Sequence, residues 1–249
     1  MIDVAFTGAQ VRPAATAVVI DVLRATSTIT FALSSGYERV LVAGGIEQAR
    51  ELRAEGRVLA GEVHCERPEG FDLGNSPEET LNPKGSELIL ATTNGAPAIL
   101  AAAASCDAVL AASLLNLDAV VATLAAGPLD VLLVCAGTDG AITLEDVYLA
   151  GRISAALEGD RTDAARIAEA LAASYADAID ALDASAGSVG LYAAGLASDI
   201  AFCAQESITA TVPRLARTIG DVAVLEAAPA SAGEPAARAA GIAVEFRNP

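Results

Sequence analysis

AVVIDVLRATST, residues 17–28, decides the fold. Val18, Val19 and Ile20 form an apolar, β-branched run too short to make a buried helix of its own, which favours a strand covered on both faces. The run stops at Asp21, and Thr26 or Ser27 can cap a helix whose apolar residues follow at Ile29, Phe31, Ala32 and Leu33. A buried strand feeding a helix within a few residues is the start of a βα unit. The junction holds an acid, Asp21, and a cation, Arg24, which a buried strand does not need in order to fold.

The same sentence structure recurs outward from this stretch. Strands are expected at about 17–22, 39–43, 57–62, 87–91, 107–112 and 130–135, with helices at about 26–35, 45–55, 95–104, 116–126 and 143–158. The apolar runs finish in polar or small residues: Glu62; Thr92, Thr93 and Asn94; Ser113; Cys135 and Gly137. In open α/β sheets ligands bind in the crevice beyond the carboxyl ends of the strands. The reading is therefore an α/β enzyme of three layers, α/β/α, with a mostly parallel or mixed sheet. Residues 1–160 carry most of the site motifs, and residues 161–249 form a helical and strand part that packs on the sheet or completes it, within one continuous domain. In that second part helices are expected at 161–183 and 185–197 and strands at 221–227 and 241–246, while 211–219, with Pro213, is open.

Composition removes several classes of function. Hydrophobic residues make up 53% of the chain but aromatic residues only 4%, with no Trp, so base stacking has little to work with. The net charge of −17 argues against nucleic acid or an anionic membrane as partner. Cys65, Cys106, Cys135 and Cys203 form no CxxC pair and suggest no disulfide framework. MIDVAFTG lacks the basic and long apolar regions of a signal peptide, and no stretch reads as a membrane span, so a cytoplasmic location is expected. A homodimer is compatible with the sequence, though nothing in it requires one.

Four motifs carry the chemistry. In DVLRATST, Arg24 offers a forked cation for phosphate or carboxylate beside a helix N-terminus suited to anions; an ion pair between Asp21 and Arg24 with ordinary capping is the competing reading. Glu62 precedes a long connection, Val63–Gly85, with three prolines and the string EGFDLGNSP, in which Asp72, Asn75 and Ser76 stand. A hard cation such as Mg²⁺ takes one or two carboxylates plus water and substrate oxygens, which makes Asp21, Glu62 and Asp72 the candidate ligands. An Asx-turn at Asp72 and a cap at Ser76 are the alternatives. TTNG, residues 92–95, puts hydroxyls, an amide and Gly95 at a helix start, where an anion can approach closely. CAGTDGAITLED, residues 135–146, brings Cys135, Gly137, Glu145 and Asp146; Thr143 and Asp146 also have capping-box spacing.

Other chemistries lack their parts. There is no GxxxxGK[ST], GxGxxG or GxSxG. The lone histidine, His64, is too little for a zinc hydrolase. A cysteine phosphatase needs arginine six residues after its nucleophile, where Cys135 has Ala141; a DxD phosphatase needs Asp where this chain has Leu23.

DVLRATST, GE…EGFDLGNSP, TTNGAPAI, CAG…G…LED…AG and DIAFCAQ together resemble the 2-phosphosulfolactate phosphatase family, over roughly residues 17–213. The resemblance implies a Mg²⁺-dependent α/β phosphatase that hydrolyses 2-phosphosulfolactate to sulfolactate in coenzyme M biosynthesis, acting on a small anionic phosphate ester. It brings candidacy to Asp21, Arg24, Glu62, Asp72, Asn75, Ser76, Thr93, Asn94, Gly95, Cys135, Gly137, Glu145 and Asp146. On this reading Asp21, Glu62 and Asp72 hold Mg²⁺, Arg24 and the Thr93–Gly95 amides hold phosphoryl oxygens, and Glu145 or Asp146 orients water. Two positions depart from the family pattern. Val63 replaces a basic residue, leaving Arg67 as the nearest substitute, and Ser188 stands where a glycine with basic neighbours is expected. Both departures imply a substrate with fewer negative charges, and a non-catalytic anion-binding homologue is the alternative function.

Overall fold

The structure, a computed structural model, describes residues 1–228. The strand expected at 241–246 and the Ala/Pro/Gly segment before it lie outside the described residues. Nine strands, β1 (Ile2–Ala5), β2 (Thr16–Ile20), β3 (Arg39–Val42), β4 (Arg57–Gly61), β5 (Glu87–Ala91), β6 (Ala108–Ala112), β7 (Val131–Cys135), β8 (Pro213–Ile219) and β9 (Val222–Ala227), form one sheet in the order β1-β7-β2-β6-β8-β9-β3-β5-β4. The helices are α1 (Ala25–Ser35), α2 (Ile46–Glu51), α3 (Gly95–Ser105), α4 (Leu117–Ala125), α5 (Leu144–Ala156), α6 (Asp163–Ala172), α7 (Ala178–Asp183), α8 (Ala186–Ala193) and α9 (Ala197–Cys203). The expected three-layer α/β/α arrangement with a mixed sheet is what the chain adopts.

Pairing is parallel within β1-β7-β2-β6 and within β3-β5-β4, but β6–β8, β8–β9 and β9–β3 are antiparallel. Three reversals across the centre make the two parallel halves run in opposite senses. The simple picture of all strand ends opening on one crevice is therefore corrected. What unites the halves is the helix layer on their common face, where Val19 and Val134 of one half, Val42 and Leu88 of the other and Ala223 of the bridging β9 pack with Ile29 of α1 and Ile99 of α3 in one cluster. Twist of about 20–25° per strand accumulates over the five steps from β2 to β5 and turns the two halves relative to each other. On the opposite face α4 to α7 cover the first half, while α2 covers the second.

Several elements depart from the sequence reading. Ile2–Ala5 is an edge strand paired with β7, in a stretch read only for a leader. The helix expected over 161–183 is two helices, because the Asp177 side chain accepts from the Asp180 N–H at 3.1 Å and starts α7 afresh. Residues 213–219 form a strand, joined to β9 through Gly220–Asp221 with Gly220 at φ 56°. Its first residue is Pro213, a position where the missing N–H is tolerated. The C-terminal part thus supplies the two strands that bridge the halves, as well as α9, which the sequence reading did not include.

Candidate active site

The site grows from the junctions that follow β2 and β5. After β2, Asp21 Oδ1 accepts the Ala25 N–H at 3.0 Å, while the Thr26 hydroxyl donates to the Asp21 carbonyl at 2.8 Å, so α1 starts at once. After β5, Thr92 Oγ1 accepts the Ala96 N–H at 3.0 Å and α3 starts likewise. The two helix N-termini lie against each other: a Cβ on Gly95 would overlap both Ala25 Cβ and Asp21 Oδ2. Gly95 is there because the helices approach too closely for any side chain.

A cleft of about 130 Å³ opens at this meeting point, lined by Asp21, Arg24, Glu62, Asn75, Thr93 and Asn94 among the residues singled out in the sequence. Glu62 is held by two amides, accepting from Thr93 N at 2.8 Å and Cys65 N at 3.0 Å, which ties the Val63–Gly85 connection to the start of α3. His64 and Cys65 turn back over the cleft in left-handed conformation, at φ 51° and 67°. Asn94 Oδ1 accepts the Asp139 N–H at 3.0 Å, closing the cleft on the β7–α5 side. Asn75 is buried, its carbonyl accepting the Thr28 hydroxyl at 2.9 Å, while its Oδ1 has no partner.

Arg24 is 3% exposed and donates from Nη1 to Asp199 Oδ2 at 2.5 Å. Its ion-pair partner is Asp199, 175 residues away, and the local pair with Asp21 is not formed. The Ser76 hydroxyl donates to the other oxygen of Asp199 at 2.6 Å, so Ser76 acts behind the cleft.

Two further acids, Glu145 and Asp146, sit beneath the cleft against Asp21. Burial raises Asp21, Glu145 and Asp146 to about 7, and their mutual charges add to it: Asp146 on Asp21, Asp21 on Glu145, and Glu145 on Asp146. Asp146 is fully engaged, accepting from Val22 N at 2.9 Å, Gly137 N at 3.1 Å and the Thr143 hydroxyl at 3.0 Å. It clamps the β7–α5 turn to the β2–α1 turn and has no reach into the cleft. Glu145 is 2% exposed, with Oε2 unpartnered and Gly187 of α8 packed against Oε1.

The remaining sequence candidates lie elsewhere. Asp72 is exposed on the outer side of β4, where Oδ2 accepts Leu59 N at 2.8 Å and lies 3.5 Å from Arg53. It is not among the residues that line the cleft. Arg67 is exposed and approaches only the Asp72 carbonyl, at 3.4 Å. Gly137, at φ 69°, serves the turn that Asp146 clamps. Cys135 is wholly buried, and burial followed by the charge of Asp146 pushes its thiol well above the usual range, so it is neutral and out of reach. Ser113, another strand end, caps with Asn116. The sequence reading gave no role to the lining residues Thr138, Asp139, Ala186, Gly187, Gly190 and Leu191, or to Asp199, which reaches the cleft only through Arg24.

The donor chemistry fits a hard divalent ion. Among the described residues no three His, Cys, Asp or Glu side chains gather to hold a metal unaided. Mg²⁺ does not need such a cage, because it keeps waters and substrate oxygens in its shell. Asp21 and Glu62 line the cleft, and Asn75 Oδ1 is an orphaned buried oxygen.

With oxygen donors and one arginine at paired helix starts, the cleft suits a phosphate ester. The sequence profile of the 2-phosphosulpholactate phosphatase family matches residues 6–218. The chain belongs to that family. Membership places it among the phosphoric monoester hydrolases. Relatives include a probable 2-phosphosulfolactate phosphatase of Thermotoga petrophila, 42% identical over 219 residues, covering 86% of this chain and 95% of the relative. Another, from Thermus thermophilus, is 38% identical over 218 residues, covering 84% and 92%. The 2-phosphosulfolactate phosphatase of Methanothermobacter thermautotrophicus is 35% identical over 196 residues, covering 79% and 84%. The profile spans the whole cleft, from the β2–α1 junction to Asp199.

Proposed function

We propose that this chain is a Mg²⁺-dependent phosphatase of a small 2-phospho-hydroxy acid, 2-phosphosulfolactate or a close analogue, releasing the hydroxy acid and phosphate. The observation that carries the proposal is the convergence of Asp21, Arg24, Glu62 and the Thr93–Gly95 turn on one cleft between two helix N-termini. Asp21 and Glu62, with Asn75 Oδ1, would hold Mg²⁺. When bound, the ion neutralises phosphoryl charge and lowers the pKa of a coordinated water.

The chain's own residues do the rest. Arg24 binds phosphoryl oxygens through the N–H groups that Asp199 leaves free, and the dipoles at the starts of α1 and α3 favour the same anion. Charge grows on these oxygens as water attacks phosphorus and the ester P–O bond breaks, so fixed donors help most in the transition state. The departing alkoxide takes a proton. On this reading Glu145, which burial keeps protonated to about 7 beneath the cleft, would supply that proton and regain one from the attacking water. Asp146 keeps the floor rigid and moves no proton, since all its acceptor contacts go to the fold.

The test is phosphate release from synthetic 2-phosphosulfolactate and from other 2-hydroxy-acid phosphates by purified protein with Mg²⁺. Turnover is expected, with loss in excess EDTA and return with added Mg²⁺. Binding without phosphate release in any of these substrates would leave only the anion-binding alternative. Retained turnover in EDTA would remove the metal from the mechanism.

A further inference from the structure

Asp199 opens the DIAFCAQ stretch and was given no role in the reaction above, yet it holds Arg24, the one arginine that lines the cleft among the described residues. It is 1% exposed, in the first turn of α9, and its two oxygens take different partners: Arg24 Nη1 at 2.5 Å and the Ser76 hydroxyl at 2.6 Å. These contacts join three segments that are 175 and 123 residues apart in the chain. Two bonds on opposite oxygens fix the plane of the carboxylate, and the carboxylate fixes one edge of the guanidinium.

The position matters because Arg24 has other carboxylates near it. Asp21 is three residues away and lines the same cleft, as does Glu62. An arginine side chain with several rotatable bonds, unpinned beside these acids, would pair with them, and both the anion site and the Asp21 oxygens would be consumed. We infer that Asp199 is the positioning residue of the phosphate site, holding Arg24 away from Asp21 and presenting its free N–H edge to the phosphoryl group. Ser76 is the second member of this device, and acts only by orienting Asp199.

The inference rests on the phosphatase reading for its ligand, but its decisive measurement is of binding. Inorganic phosphate is titrated calorimetrically into the full-length protein with Mg²⁺ present. Asp199→Asn keeps side-chain size and an acceptor for Ser76 but removes the charge. Simple electrostatics predicts that losing a carboxylate strengthens anion binding, whereas loss of positioning weakens it, so the sign separates the two. The expected result is phosphate affinity lower by about tenfold, matching a lost charge-assisted contact, with KM rising similarly and kcat changing less. In an Arg24→Ala background the same substitution is expected to produce no such fall, because nothing remains to be positioned. Unchanged or tighter phosphate binding in Asp199→Asn overturns the inference, as does an equal fall in the Arg24→Ala background. Should Asp199→Asn fail to fold, Ser76→Ala is read in the same way, with a fall of about threefold expected and none overturning it. If the unaltered protein binds phosphate but hydrolyses no ester, the phosphatase reading fails and this test still stands.

Discussion

Asp21 and Arg24 stand three residues apart, yet each spends its charge on something other than its neighbour. Asp21 caps α1 through Ala25 N, and Arg24 reaches across to Asp199. On the proposed reading, that separation would leave an edge for an anion and an oxygen for a metal ion side by side. Arg24→Ala should therefore lower kcat/KM for phosphate esters by roughly thirtyfold, corresponding to about 2 kcal/mol of charge-assisted hydrogen bonding. Steady-state phosphate release checks this, and an unchanged kcat/KM removes Arg24 from the site. Cys135→Ser should retain turnover within a few-fold, because a buried neutral thiol outside the cleft is no nucleophile. Abolished turnover in a variant that still folds would restore covalent chemistry. The residues legible in the sequence were those that interrupt an apolar run at a strand end, Asp21, Glu62 and Thr93–Asn94. Asp72 misled because an acid in a Gly/Asn/Pro loop reads alike whether it faces a cleft or, as here, satisfies a backbone N–H of the neighbouring strand. Asp199 opens the DIAFCAQ stretch, but its role was not legible there, since an acid in the first turn of a helix is also an ordinary dipole partner.

The elements that make the site are α1 and α3, and their crossing is the tightest constraint on it. The βα alternation that announced both helices in the sequence says nothing of how close they come. Gly95 does carry that information, although one glycine at a helix start has several possible meanings. Gly95→Ala places a methyl where Ala25 Cβ and the Asp21 carboxylate already stand. Overpacking of this kind costs about 1–3 kcal/mol. The denaturation midpoint in urea should fall accordingly, and activity should fall further than stability because Asp21 is displaced. A variant with unaltered midpoint and turnover would mean that the helices do not meet as described. The β8–β9 hairpin was harder to foresee. Its Gly220–Asp221 turn is a usable hairpin signal, but Pro213 and the charged β8 sequence PRLARTI obscured a strand that turns out to bridge both halves.

At the scale of the whole molecule, the fold buries a cluster of acids that an apolar core would not choose. Among the described residues, Asp21 at the cleft and Glu145 and Asp146 beneath it pack together, each raised to about 7 first by burial. In the unfolded chain these groups titrate near 4. The native state therefore holds protons more tightly, so their favourable contribution is complete below about pH 4 and is lost as pH rises through 7. Asp3, Glu87 and Glu169 are shifted the other way, and what they contribute is lost only as pH falls below the ordinary carboxylate range. The two effects occupy different windows. Each proton retained by the native state changes stability by about 1.4 kcal/mol per pH unit, so even one kept by the cluster costs metal-free protein about 3 kcal/mol between pH 5 and 7, and further retained protons add to it. For a chain of this size that lowers Tm by on the order of 5–10 °C. Millimolar Mg²⁺ should recover much of the loss, because a cation beside Asp21 stabilises the ionised form that burial disfavours. Thermal melts in EDTA and in Mg²⁺ across pH 5–8 measure both halves of the argument. A Tm that stays level or rises with pH in EDTA would mean the acids are not held protonated together. A fall that Mg²⁺ does not relieve would mean that the cluster exists without serving a metal.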